Sequence, residues 1–287
     1  MLEKYNVRVE SLGSSSKGNA FYLDIQLTNK RFGLLLECGF KYKKLLEKFY
    51  DYDIEVKDID VVLITHEHND HSEGVKGLVN IGKKVYAPQT VFDKWEVDTD
   101  LRNVNVFDKE YTNKIIYKDE NDEVKVFGFP LEHYDTNDQP VYNLGYVITI
   151  NNEFRILFVI DTKYIKQDFS KYQFNLIFME TNYVGVMLRP AFAKAKKEND
   201  VGNIIRYNRV FNSHQSLEHA RNTIFGEYEK KSNKIIGGWD LSKTEVIILT
   251  HISSNHGANY QYYLDKFNRR KPQHVKVLVA LKEGGLV

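Results

Sequence analysis

The chain has 287 residues, 42% hydrophobic and 28% charged, the balance of an ordered protein with a packed core rather than of a disordered or fibrous chain. No apolar run approaches the ~20 residues of a membrane-spanning helix, and 40 basic against 39 acidic residues leave a net charge of +1, which by itself selects neither nucleic acid nor a membrane as partner. The single cysteine, Cys38, excludes an internal disulfide and every cysteine-built zinc module. The opening MLEKYNVRVESLG lacks the basic and then apolar run of a secretory leader, so a cytoplasmic protein with no disulfide-linked partner is expected.

With no repeat, no low-complexity tract and no Pro/Gly-rich linker, 1–287 reads as a single domain. VRVESLG and AFYLDIQL are strand-like on either side of a polar loop, SSSKGN, and FGLLLECG is a buried strand. YKKLLEKFY has helical spacing. DIDVVLIT is an apolar strand, and a helix is expected over 72–80, entered at Ser72. VKVFGFPLEH, YNLGYVITI and FRILFVIDT are strands, the last two joined by a turn at Asn151 and Asn152. NLIFMET is a further strand, 215–230 suits a helix, EVIILTH a strand, 259–267 a helix and HVKVLVA a last strand. Strands predominate in both halves and each half closes with helices, an order satisfied by two packed sheets covered by helices.

Residues 65–71 read THEHNDH, placing His66, His68, Asp70 and His71 immediately after an apolar strand. Histidine and carboxylate are the ligands zinc takes in the absence of cysteine; a surface loop with chance histidines is the bland alternative. His133, Asp161 and His251 each follow an apolar strand in the same way. Singly, each suits a capping or surface role. Together with the first loop they supply seven ligands, enough for two metal ions sharing a carboxylate.

HEHNDH resembles the HxHxDH signature of the metallo-β-lactamase fold, and His133, Asp161 and His251 fall in the order of that fold's later metal motifs. The resemblance implies an α/β fold, an αββα sandwich of two mixed β-sheets with helices on the outer faces. It also implies two divalent ions, zinc or manganese: one on His66, His68 and His133, the other on Asp70, His71 and His251, bridged by Asp161 and a water or hydroxide. Glu180 in FMETNY and His214 in NSHQSLEHA are similar to the carboxylate–histidine pair of the phosphodiesterase branch. SLGSSSKGNAFYL, ETNYVGVMLR and SHQSLEHA further resemble the SxASGSSGN, ESNHDxxMLR and GHLSNExA motifs of the YycJ/WalJ group of bacterial and phage nucleases. The chain departs from that pattern at Glu37, where the fold usually has aspartate, at Tyr183 in place of histidine, and at Ser213 and Gln215 in place of glycine and leucine.

The chemistry implied is metal-dependent phosphodiester hydrolysis, with a bridging hydroxide as nucleophile, Asp70, Glu180 and His214 in the catalytic set, His214 as the acid and Glu180 orienting it. Helix capping or surface hydration is the alternative for His214. Ser14, Ser15, Ser16 and Asn19, with Ser253 and His256, are candidates to contact a phosphate; plain turn residues are the alternative. The stretch 189–209, with Phe192 and Tyr207 among its basic residues, suits either a nucleic-acid backbone or a solvated helix. The expected partner is a nucleic acid or nucleotide. A nuclease on DNA or RNA leads; a cyclic-nucleotide phosphodiesterase, a small-thioester hydrolase and a non-catalytic, metal-stabilised binding module are the alternatives.

Overall fold

The computed structural model describes residues 5–107, 111–135, 137–229, 231, 234–253 and 255–287. They fall into two units, the first drawn from Met1–Pro130, Tyr142–Phe158 and Ala280–Val287 and the second from Leu131–Val141 and Val159–Val279. The leader expectation rests partly on residues 1–4, which lie outside the described residues.

In the first unit β1 (Arg8–Ser15), β2 (Gly18–Gln26), β3 (Arg31–Leu36), β4 (Val61–Leu63), β5 (Lys84–Pro88) and β6 (Val104–Phe107) form one mixed sheet in chain order. The pairs β1–β2 and β2–β3 are antiparallel, and β3 through β6 run parallel. Parallel neighbours need crossovers, supplied by α1 (Tyr42–Asp51), α2 (Asn69–Ser72), α3 (Val75–Asn80) and α4 (Gln89–Lys94). One sheet face, with Leu35, Val62, Ile64, Val85 and Ala87, buries Leu45 and Phe49 of α1, Val75 and Leu78 of α3 and Val91 and Phe92 of α4. Each such aliphatic or aromatic side chain contributes about 1.5–3 kcal/mol by leaving water, which fixes the strand ends from which the polar residues project. Four more strands follow: β7 (Thr112–Lys118), β8 (Glu123–Tyr134), β9 (Pro140–Ile150) and β10 (Phe154–Val159). β7 pairs antiparallel with β8, and β9 with β10. Asn151 and Asn152, at φ 52° and 59°, make the expected turn between the last two.

The second unit carries β11 (Leu176–Glu180), α5 (Gly185–Lys197), α6 (Val201–Ser213), α7 (Leu217–Phe225), β12 (Glu227–Glu229), β13 (Lys234–Ile236), β14 (Val246–Thr250), α8 (Tyr260–Asn268) and β15 (Lys276–Val279). β11, β14 and β15 are parallel neighbours; β11 and β14 are nearly continuous buried runs, as strands covered on both faces require, whereas β15 alternates buried with less buried positions.

Three expectations need correction. Helix does not begin at Ser72: its hydroxyl donates backwards to the carbonyls of Glu67 and His68, so Asn69–Ser72 is itself a helical turn and α3 starts separately at Val75. The helix expected over 215–230 ends at Phe225, where Gly226 takes φ 77° and the chain turns into β12; residue 230 lies outside the described residues. His214 does not cap a helix N-terminus, because Ser216 does so for α7, accepting from the His219 amide, and His214 ends α6.

Candidate metal centre and active site

In the first unit THEHNDH leaves the C-terminal end of β4, beside the parallel end of β3, where Glu37 follows directly. Glu37 takes φ 65°, a left-handed conformation a side chain occupies at some cost. It turns the carboxylate inward, where it is fully buried. Thr65 donates its amide to Oε2 at 3.2 Å and its hydroxyl to Oε1 at 2.6 Å, and the same hydroxyl lies 2.9 Å from His66 Nδ1. His71 Nδ1 lies 3.4 Å from Glu37 Oε1. A carboxylate only accepts, so with Glu37 ionised the Thr65 oxygen accepts the Nδ1–H of His66 and Glu37 accepts that of His71. Both rings then present Nε2, the atom a metal takes. Burial pushes the Glu37 carboxyl up, against the opposing pull of His71 and Thr65.

The His66 ring centroid is 4.7 Å from that of His68 and 4.2 Å from that of His71, and Asp70 Oδ2 is 3.4 Å from His71 Nε2. The α2 turn is held from outside by Asn19, whose amide donates to the Ser15 carbonyl at 3.0 Å and the Asp70 carbonyl at 3.1 Å. It is also held by Cys38, whose N–H donates to the His71 carbonyl. A Cβ on Gly39 would stand 1.7 Å from the Asp70 oxygen, so only glycine lets these backbones meet.

The polar stretch SSSKGN is the tip of the β1–β2 hairpin, with Ser14 opposite Asn19 and Ser15 opposite Gly18. Ser14, Ser15 and Asn19 are buried, and Ser16 and Lys17 are exposed. Asn19 braces the α2 turn, and the Ser15 hydroxyl accepts the Lys17 amide.

In the second unit Glu180 ends β11 and His251 follows β14, side by side through the Glu180–Thr250 register. Asp161 and His251 both adopt left-handed backbone, at φ 50° and 53°, the same device that turns Glu37. Asp161, Glu180, His214 and His251 each offer a donor atom within 4.8 Å of the others. Glu180 is fully buried and accepts from the Thr162 amide at 2.7 Å, His214 Nδ1 at 2.7 Å and His251 Nδ1 at 3.2 Å. Burial works to raise its pKa, yet the charge of His214 and the hydrogen bonds from His214 and His251 hold it below the ordinary carboxylate range. One Asp161 oxygen contacts His251 Nδ1 and the other lies 3.6 Å from His133 Nε2. His133 Nδ1 faces the Ser213 carbonyl at 3.1 Å; a carbonyl only accepts, so Nδ1 carries the proton and Nε2 is left as donor to a cation. Ser213 also ties the His133 strand to α6 by donating its hydroxyl to the Tyr134 carbonyl.

Histidines and carboxylates, most of them buried, offer only nitrogen and oxygen here and fit a metal ion. His256 is half-buried, its N–H donates to the Ser253 hydroxyl, and its ring is 5.6 Å from that of Tyr207. His219 is exposed on α7, and His274 Nε2 contacts the Leu241 carbonyl. The motif reading passed over Thr65, Thr162 and Asn182, which donates to the His251 carbonyl. Each is one residue from a site residue, or two, which is the only signal the sequence carries for it.

Residues 34–193, more than half of the chain, match the β-lactamase superfamily domain; the chain belongs to that superfamily, with the metallo-β-lactamase α/β sandwich of two mixed sheets and covering helices. Within it, 94 residues are 36% identical to the exodeoxyribonuclease WalJ of Streptococcus pneumoniae, covering 32% of each chain. The chain thus matches about a third of that relative's length. The exodeoxyribonuclease YycJ of Bacillus anthracis is 25% identical over 201 residues, 67% of this chain and 71% of that protein. Among solved structures, the metallo-β-lactamase fold protein YhfI of Bacillus subtilis superposes with a TM-score of 0.63 at 15% identity, covering 98% of both chains, a likeness of fold alone. Among the described residues no helix is long and apolar enough to cross a membrane.

Proposed function

We propose that this chain is a dinuclear metal-dependent phosphodiesterase that degrades DNA, acting as one hydrolase domain. The observation that carries the reading is the buried Glu180 carboxylate 2.7 Å from His214 Nδ1, in the same cluster as Asp161 and His251. His66, His68 and His133 would hold one ion and Asp70, His71 and His251 the other, with Asp161 shared, in keeping with its two oxygens facing different histidines. When bound, such ions supply Lewis acidity, lowering the pKa of water toward ~7 and drawing charge from phosphate oxygens.

The chain's own part is proton handling. Glu180 fixes the Nδ1–H of His214, so Nε2 carries the transferable proton, and the departing sugar oxygen needs that proton because an alkoxide is a poor leaving group. Glu180 is pinned in turn by the Thr162 amide, so the pair cannot rotate away. The names of the relatives, exodeoxyribonucleases both, support DNA as substrate, and the reading places the enzyme in the cytoplasm with that DNA.

The test is incubation of zinc- or manganese-loaded protein with end-labelled single- and double-stranded DNA, with RNA and with a cyclic-nucleotide panel. A ladder of shortened DNA is expected. Hydrolysis of cyclic nucleotides with every polynucleotide left intact would overturn the nuclease reading.

A further inference from the structure

Between the strand that ends in Glu180 and the turn that carries His214, the chain builds a helical hairpin, α5 and α6, covering 185–213. Its sequence holds Arg189, Lys194, Lys196, Lys197, Arg206 and Arg209 against Glu198 and Asp200. Six positive and two negative charges give +4 in a chain whose total is +1, so the remainder of the molecule is at −3. All six basic side chains are exposed. Lys194 reaches Glu198 at 3.9 Å, and Lys196 lies over the Phe192 ring at 4.2 Å. Among the described residues Arg189, Lys197, Arg206 and Arg209 make no ion pair with a carboxylate.

Aromatic rings run between these charges. Tyr183 packs on Phe211 at 5.5 Å, Phe211 on Phe192 at 5.3 Å, Phe192 on Tyr207 at 6.2 Å and Tyr207 on His256 at 5.6 Å, all edge to face. Phe192, Tyr207, Phe211 and His256 are each partly exposed. Burial and then the charges of Arg206 and His214 hold the His256 imidazole below its ordinary pKa, which sets Arg206 and His214 within electrostatic reach of the same ring.

We propose that the exposed face of the α5–α6 hairpin is the track for single-stranded DNA. Arg189, Lys197, Arg206 and Arg209 hold successive phosphates, and Tyr207 with His256 gives the base nearest His214 a ring to stack on. The inference rests on the nuclease reading and deepens it. A locally basic surface on an otherwise acidic chain attracts a polyanion where bulk charge does not, and aromatic faces among the charges favour unpaired bases over a duplex, whose bases are already stacked.

The test uses the full chain in EDTA, so that binding is read without cleavage, and follows fluorescence anisotropy of a labelled 20-nucleotide single strand against salt. Reversing Arg206→Glu and Arg209→Glu together is expected to weaken binding at least tenfold and to reduce the salt slope by about 1.4, two lost phosphates on a single strand. Tyr207→Ala is expected to cost about tenfold with the slope unchanged, as loss of one stacked base does. Reversing Lys43→Glu and Lys44→Glu, exposed on α1, changes net charge equally and is expected to leave binding as it was. Circular dichroism and melting of each variant confirm folding. Equal weakening by the two charge reversals, an unchanged slope in the first, tighter binding of a blunt duplex, or binding to anionic vesicles lost in parallel would each overturn the track. Failure of the wild-type, metal-loaded protein to shorten end-labelled DNA would sink the nuclease reading separately, leaving the binding result to stand.

Discussion

Replacing His214 by alanine separates the proton donor from the metal centre. The His214 side chain is 14% exposed and contacts Glu180 at 2.7 Å. Its removal leaves Glu180 with the Thr162 amide and His251 as partners, so the buried carboxylate keeps two of these three donors. A lost hydrogen bond to a buried charged group costs about 1–3 kcal/mol, which a chain of this size tolerates without unfolding. A general acid contributes about 10²–10⁴ in rate, but only where the leaving group needs a proton. For DNA, whose leaving group is a sugar alcohol, kcat should fall by about that factor. For bis(p-nitrophenyl) phosphate, whose phenolate departs unprotonated near neutrality, the loss should be under about tenfold. The assay is steady-state kcat for both substrates on matched, metal-loaded preparations, with bound metal quantified in each. Equal losses on the two substrates at equal metal content would refute the acid role, since a residue acting through metal or phosphate binding cannot tell the leaving groups apart.

Other consequences are testable in the same way. Thr65→Val removes the hydroxyl between Glu37 and His66 and should weaken metal binding about 10–100-fold in competition with a chromophoric chelator, with Thr65→Ser restoring it; unchanged affinity in the valine variant would show that the hydroxyl does not orient His66. Gly39→Ala drives a methyl into the Asp70 carbonyl, an overlap worth about 1–3 kcal/mol. The midpoint of thermal unfolding should drop by about 2–4 °C for each kcal/mol, and an unaltered melting curve would mean that the α2 turn shifts freely. The Asp240 carboxyl is pulled down to about 2 by hydrogen bonds from the Ser242 side chain and amide and from Gln173. A depressed carboxyl stabilises the fold above its unfolded value of about 3.9 and stops doing so as pH falls toward its folded value. Urea unfolding at pH 5 and pH 3 should therefore show a smaller drop for Asp240→Asn than for the parent, and identical drops would count against that bond network.

The strands DIDVVLIT, NLIFMET and EVIILTH were readable from sequence because each holds an unbroken apolar run that ends in polar residues, and THEHNDH stands out because four ligand side chains crowd into seven positions. β5, β6 and β7 were not readable: they are four to seven residues long, and β7 is mostly unburied, so its pattern is weak. Ser72 has the residue type of a helix start, but tertiary contacts decide its use, because Trp95 donates to its hydroxyl at 2.8 Å while that hydroxyl closes α2 behind it. Glu180 and His214 are 34 residues apart in the chain, and periodicity says nothing of such a distance.

The sequence by itself determined which atoms are available: histidine nitrogen and carboxylate oxygen at strand ends, one cysteine kept apart, and a near-neutral total charge. Only the tertiary structure decided how those atoms are aimed. Glu37, Asp161 and His251 occupy left-handed backbone that none of these residue types announces, and the surrounding strands over-determine it. Glu37, the lengthened acid whose part the motif left open, meets Thr65 and His71 only because β3 and β4 lie parallel. The net charge of +1 likewise concealed a segment at +4, since a sum over the chain cannot register that six basic side chains share one exposed hairpin.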